Sequence, residues 1–258
     1  MTGKIIEADG VQIEIKLNGN KEPLVIMLPG NSRGADDFDE LASLLADSGW
    51  RTAAVNPRGA GKSTGPMENL TLHDLASDVA MIIERLEGAP AALIGHAFGN
   101  RIARCLAADR PDLVSCVILL AAGGKVPPLP EYIEAMTILG SKPGPEERSS
   151  AMRTAYFAQG SDPTPWLSGF YQDTGRAQGQ AGRNTPLEEW WSGGEAPMLV
   201  LQGEEDVCAP PANGHQLKKE YGGRIEVVDI PNAAHALLFE QPKIIAGRIN
   251  DFLRRQFQ

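Results

Sequence analysis

The chain has 258 residues, 42% of them hydrophobic, with 24 Lys and Arg against 33 Asp and Glu and a formal net charge of -9. A chain of this length buries one sizeable core, and its ordinary composition, without repeats or low-complexity tracts, excludes fibrous and disordered classes. The acidic balance argues against nucleic-acid or anionic-membrane partners, which require a basic surface, and specifies no ligand; a small-molecule substrate and a monomer or homodimer are the expectation.

The N-terminal stretch MTGKIIEADGVQIEIK has no apolar run of signal-peptide length, and no later segment approaches the roughly 20 apolar residues of a membrane span. A cytoplasmic location is the expectation. Cys105, Cys116 and Cys208 are an odd number without metal spacing, which predicts free thiols and neither a disulfide framework nor a metal site. No cofactor is called for.

In chain order, residues 4–17 (KIIEADGVQIEIKL) give two β-rich runs around Asp9-Gly10, a pair that supplies the positive φ angles of a tight hairpin. PLVIMLPG is a continuous apolar run ending in Gly, as expected of a strand buried on both faces. FDELASLLADSG places Phe38, Leu41, Leu44 and Leu45 on one helical face. The cycle repeats with TAAVNPRG as strand and loop, TLHDLASDVAMIIERLEG as a helix capped by Thr71, AALIG as strand, NRIARCLAADRPDL as helix and VSCVILLAA as strand. Such alternation predicts an α/β fold, a mostly parallel sheet with helices on both faces.

Regularity breaks between residues 125 and 192, where Pro, Gly and aromatics gather with only short helical patches. This stretch is too long for a loop and predicts a subdomain inserted into a core of residues 1–124 and 193–258. PMLVLQG and RIEVVDI restore the strand pattern, and PKIIAGRINDFLRRQF closes the chain as an amphipathic helix.

Short loops follow the predicted strands: LPGNSRG, NPRGAGKS, GHAFG, GEEDVCAP and NAAHALLFEQP. In this order they resemble the α/β-hydrolase family over essentially the whole chain. The resemblance implies an eight-stranded sheet, an inserted helical cap and a nucleophile–acid–base arrangement with position 97, Asp206 and His235 in that order. Gly95 and Gly99 leave room for a strained strand-to-helix turn, and the backbone N–H groups of Phe98 and Asn31 would form an oxyanion hole. Pro29 departs from the family's common His-Gly form at the oxyanion loop. Trp166, Phe170, Tyr171, Trp190 and Trp191 would line a mainly apolar pocket for a small ester, lactone or related carbonyl substrate.

Position 97 is alanine, and a methyl group cannot attack a carbonyl. Three explanations stand open: a serine hydrolase inactivated by a Ser→Ala change, which is the reading the retained oxyanion loop, acid and base favour; a His235/Asp206 dyad doing base chemistry without a covalent step, as in cofactor-independent dioxygenases or lyases resembling this fold; or a binding protein that has lost turnover. Ser32 and Cys208 are poor substitutes, the first belonging to the oxyanion loop and the second showing no activating partner in the sequence. PRGAGKS is not a phosphate loop, since that pattern needs Gly where Asn56 stands.

Overall fold

The computed structural model describes residues 2–257. The chain opens with strands β1 (Thr2–Ala8) and β2 (Val11–Asn18), an antiparallel pair in which Ala8 faces Val11. Between them Asp9 and Gly10 take φ of 51° and 79°, the positive angles the dipeptide predicts. Then come β3 (Leu24–Leu28), helix α1 (Asp39–Asp47), β4 (Arg51–Val55), α2 (Leu72–Arg85), β5 (Ala91–His96), α3 (Gly99–Asp109) and β6 (Val114–Leu120). After the inserted segment, β7 (Met198–Gly203), α8 (Ala212–Tyr221), β8 (Ile225–Ile230), α9 (Leu237–Glu240) and α10 (Pro242–Gln256) complete the fold.

The eight strands form one sheet in the order β1-β2-β4-β3-β5-β6-β7-β8, parallel from β4 onward. Because strand side chains alternate between faces, the central strands feed two separate cores. Leu24, Ile26, Leu28 and Leu93 pack with α2 and α3, whereas Val25, Met27, Ala92 and Ile94 pack with α1 and α10. Both faces are covered, which is why these strands read as unbroken apolar runs. Helix α2 begins as the sequence predicts: the Asp74 N–H donates to the Thr71 hydroxyl at 3.3 Å and the Thr71 N–H to the Asp74 carboxylate at 2.8 Å.

Between β6 and β7 the expected short helical patches prove to be longer helices, α4 (Pro130–Gly140), α5 (Pro145–Tyr156) and α6 (Gln172–Asn184), followed by the single turn α7 (Leu187–Trp190). Their periodicity is faint because they bury little: Ala135 alone is buried in α4, where Ile133, Met136 and Ile138 stay exposed. Helix α6 also carries Gly175, Gly179 and Gly182, residues that weaken any helical signal. No helix of the described residues is long and apolar enough to cross a membrane.

The order of the strands sets the position of the site. The chain leaves β3 toward β4 on one side and returns to β5 on the other, so the loops after β3 and β5 diverge and open a crevice at the carboxyl ends of these neighbours.

Candidate active site

The turn after β5 is built around its two glycines. A Cβ on Gly99 would overlap the Leu28 carbonyl, and one on Gly95 would lie 2.6 Å from the Asn100 nitrogen. Between them Ala97 is held at φ 48°, a left-handed conformation that costs a non-glycine residue about 1–2 kcal/mol. The Ala97 N–H donates to the Leu120 carbonyl at 2.9 Å and the Asn100 side chain donates to the same oxygen at 2.8 Å, pinning the turn to β6.

Phe98 lies at the N-terminus of α3 and Asn31 in the loop after β3. Neither backbone N–H has an acceptor among the described residues, while their neighbours are engaged: the Ser32 N–H donates to Gln178 at 2.9 Å and the Arg33 N–H to the Gly30 carbonyl at 3.1 Å. Two unspent donors facing one cavity, one of them at a helix N-terminus, can hold developing negative charge.

Asp206 and His235 come from the loops after β7 and β8. Gly203 lets these loops touch, since a Cβ there would overlap the Ala234 carbonyl. One Asp206 oxygen accepts the N–H groups of Cys208 at 2.9 Å and Ala209 at 2.7 Å, which leaves the other for His235 Nδ1 at 2.9 Å. Both side chains are buried, and Nε2 of His235 has no partner among the described residues. Burial, the largest influence on His235, favours the neutral ring, but the Asp206 carboxylate and, after it, the neighbouring Cys208 sulfur outweigh it through charge and hydrogen bonding and hold the imidazole pKa well above its ordinary value. Glu205 is occupied elsewhere, accepting the Gln159 N–H at 2.8 Å.

His96, beside the turn, donates from Nε2 to the His235 carbonyl at 2.8 Å. Its Nδ1 is buried without a partner, and burial followed by the nearby His235 charge pushes its pKa down to about 3. The sequence placed His96 next to position 97 but gave no sign that it braces the loop carrying His235.

A cavity of about 610 Å³ lies over these groups, bordered by Asn31, Ala97, Phe98, Cys208 and His235. Of the five aromatics singled out in the sequence, Trp166 and Phe170 line it, but Tyr171, Trp190 and Trp191 do not. Trp190 and Trp191 belong to the sheet core, where both stack on the buried Arg104 guanidinium at 4.6 and 4.9 Å and Trp191 donates to Glu220 at 2.7 Å. Tyr132 and Tyr156, from the same aromatic-rich stretch, take places on the wall, as does Arg101, which the sequence did not single out. Cys208 does too, and its sulfur shares a 4.8 Å cluster with Asp206 and His235, a proximity its sequence position does not disclose. A separate depression of about 670 Å³, bordered by Ala8, Ser77 and Arg110, holds none of these groups.

His73, Cys105 and Asp109 form a second cluster of potential metal donors. His73 is bridged between Asp109 and Glu189 at 2.7 and 2.8 Å, and burial pushes the Cys105 thiol up, so these atoms serve a surface ion-pair network.

Comparison with known proteins agrees with the architecture. A bifunctional esterase/perhydrolase of Acinetobacter calcoaceticus is 24% identical, the match covering 98% of this chain and 99% of that protein. A pyrethroid hydrolase of Sphingobium wenxiniae is 26% identical over 88% of this chain and 86% of its own. An esterase structure from Exiguobacterium antarcticum superposes with a TM-score of 0.80 at 20% identity, covering 98% of this chain and all of that one, and shows the same fold. The profile of the alpha/beta hydrolase fold family matches residues 23–242, and the chain belongs to that family.

Proposed function

We propose that the protein hydrolyses a small carbonyl substrate, an ester or a lactone, with water as the direct nucleophile and His235 as general base. The observation that carries this reading is the buried Asp206–His235 pair at 2.9 Å, its outer nitrogen unengaged, bordering the same cavity as two unspent backbone N–H donors. A pure binding pocket has no use for that combination, and Ala97, which borders the same cavity as His235, brings no reactive group of its own, so the attacking oxygen comes from water.

In this mechanism Nε2 of His235 takes a proton from the water as its oxygen attacks the carbonyl carbon. The Phe98 and Asn31 N–H groups hold the oxyanion, each such donor being worth about 10²–10³ in rate. Collapse of the tetrahedral intermediate breaks the bond to the leaving oxygen, to which His235 returns the proton. Asp206 fixes the ring with Nδ1 protonated and steadies the imidazolium. The helices between β6 and β7 serve as a cap over the cavity. Since the neutral ring is the working base and its pKa is raised, turnover should climb with pH through a midpoint above the ordinary value of about 6.5.

The test is turnover of aryl esters and lactones by the protein itself, His235→Ala and Ala97→Ser. The expected result is turnover that falls about 10²–10⁴-fold in His235→Ala and shows no burst, with a burst of acylated enzyme appearing in Ala97→Ser. Turnover confined to Ala97→Ser would make the chain an inactivated serine hydrolase. Loss in Cys208→Ala equal to that in His235→Ala would make the thiol the nucleophile. Ligand binding without turnover by either form would mean a binding protein.

A further inference from the structure

The cavity wall inverts the charge balance of the chain. The protein carries more acids than bases, yet Arg33, Arg101 and Arg183 border this cavity and no Asp or Glu does, among the described residues. The three arginines differ in what they are bound to. Arg33 is spent: its guanidinium grips Asp37 at 2.8 and 2.5 Å and donates to the Ser168 carbonyl at 2.7 Å. Arg104, one turn beyond Arg101 and away from the cavity, donates to the Asn100 and Gly123 carbonyls at 3.2 and 3.0 Å. Arg101 and Arg183 donate to no acceptor among the described residues.

Arg101 is half-buried in the first turn of α3, four residues after Ala97. Its guanidinium lies 5.7 Å from the Phe98 ring and 5.4 Å from the Trp190 ring, contacts that orient the planar group but satisfy none of its donors. Helix α6 makes room for it: a Cβ at Gly182 would come 2.9 Å from Arg101 Nη1, and Gly182 and Gly179 both border the cavity. Glycines in a helix interior weaken it by about 1 kcal/mol each, and the one at position 182 lets the Arg101 guanidinium lie against the helix without being displaced. Burial draws the Arg101 pKa down, opposed only in part by the nearby Cys208.

We infer that the cavity selects a substrate bearing a carboxylate, gripped by Arg101 with Arg183 as a second cation on the same cavity wall, while the carbonyl to be hydrolysed faces His235. A desolvated guanidinium presents a planar fork that a carboxylate matches with two parallel hydrogen bonds. The inference rests on the proposed function only in taking this cavity as the substrate site. The substrate class is then a small half-ester of a dicarboxylic acid, or a lactone that retains a free carboxylate, charged at one end.

The experiment compares monomethyl glutarate, which carries the charge, with dimethyl glutarate, which does not, by calorimetric titration of His235→Ala so that neither ester is consumed. The expected result is a preference for the half-ester of about ten- to a hundredfold, as a hydrogen-bonded charge pair supplies. Arg101→Met should abolish that preference, Arg101→Lys should retain part of it, and Arg183→Met should reduce it less because Arg183 is exposed. Should Arg101→Met fail to fold, the preference in the parent must still shrink as salt rises from about 0.05 to 0.5 M. Equal binding of the two esters, a preference that survives Arg101→Met, or no binding of the half-ester at about 10 mM overturns the inference. Tighter binding of methyl phosphate than of the half-ester would overturn the carboxylate assignment. The readout is binding, so an enzyme that bound the half-ester without hydrolysing it would refute the proposed reaction and leave this inference standing.

Discussion

Protonation of His96 should destabilise the protein well before its carboxylates titrate. The ring is fully buried, its Nε2–H is committed to the His235 carbonyl at 2.8 Å, and a proton on Nδ1 would have no acceptor. Its pKa is pushed down to about 3, against about 6.5 in an unfolded chain. The folded pKa is depressed, so the stability it secures is present above pH 6.5 and lost as pH falls toward 3. At pH 5 the chain is one and a half units below the unfolded value, and at about 1.36 kcal/mol per unit the loss is about 2 kcal/mol. His235 acts in the opposite sense, since its raised pKa adds stability as pH falls from 7.5 to about 6.5 and adds none below that; both proteins retain His235, so their comparison removes this contribution. The assay is urea unfolding followed by tryptophan fluorescence at pH 7.5 and pH 5, for the protein and for His96→Gln, whose amide can keep the bond to His235. The stability difference between the two should shift by about 2 kcal/mol in favour of the variant on acidification. A difference unchanged within about 0.5 kcal/mol would refute the argument, since a pKa near 3 then could not hold.

Gly99→Ala drives a methyl group into the Leu28 carbonyl, an overlap with backbone that cannot swing aside, and should cost at least about 1–3 kcal/mol in urea unfolding while abolishing turnover; wild-type stability in that variant would contradict the turn geometry. Phe170→Ala, on the cavity wall, should weaken ligand binding, whereas Trp191→Phe, which removes the bond to Glu220 from the sheet core, should lower the unfolding midpoint and leave binding constants alone. The opposite pattern in paired titration and melting experiments would show that the two aromatics have been assigned to the wrong surfaces.

Features legible in the sequence were those written into neighbouring residues. Asp9-Gly10 turns a hairpin because positive φ is a property of those residues, and Gly95 and Gly99 announce a sharp turn because any side chain there meets backbone. Strand β3 reads as buried on both faces because alternate residues feed two cores, and Thr71 caps α2 through a partner three residues away. The order of the loops was enough to pair Asp206 with His235 across 29 positions, since each loop ends a strand of a sheet whose order the family resemblance implies.

What composition could not tell was which way a side chain faces once distant segments meet. Trp190 and Trp191 sit in the same aromatic-rich stretch as Trp166 and Phe170, yet the first two turn into the sheet core against Arg104 while the others border the cavity. Helices α4 and α5 read only as short helical patches because a weakly buried helix needs little apolar periodicity. Arg101 and Arg104 are three positions apart on one helix and chemically identical in the sequence; one donates to two carbonyls inside the core and the other borders a cavity, where it lies against Gly182 of the distant α6. Pairing of that kind depends on three-dimensional neighbours, and only the packed chain supplies them.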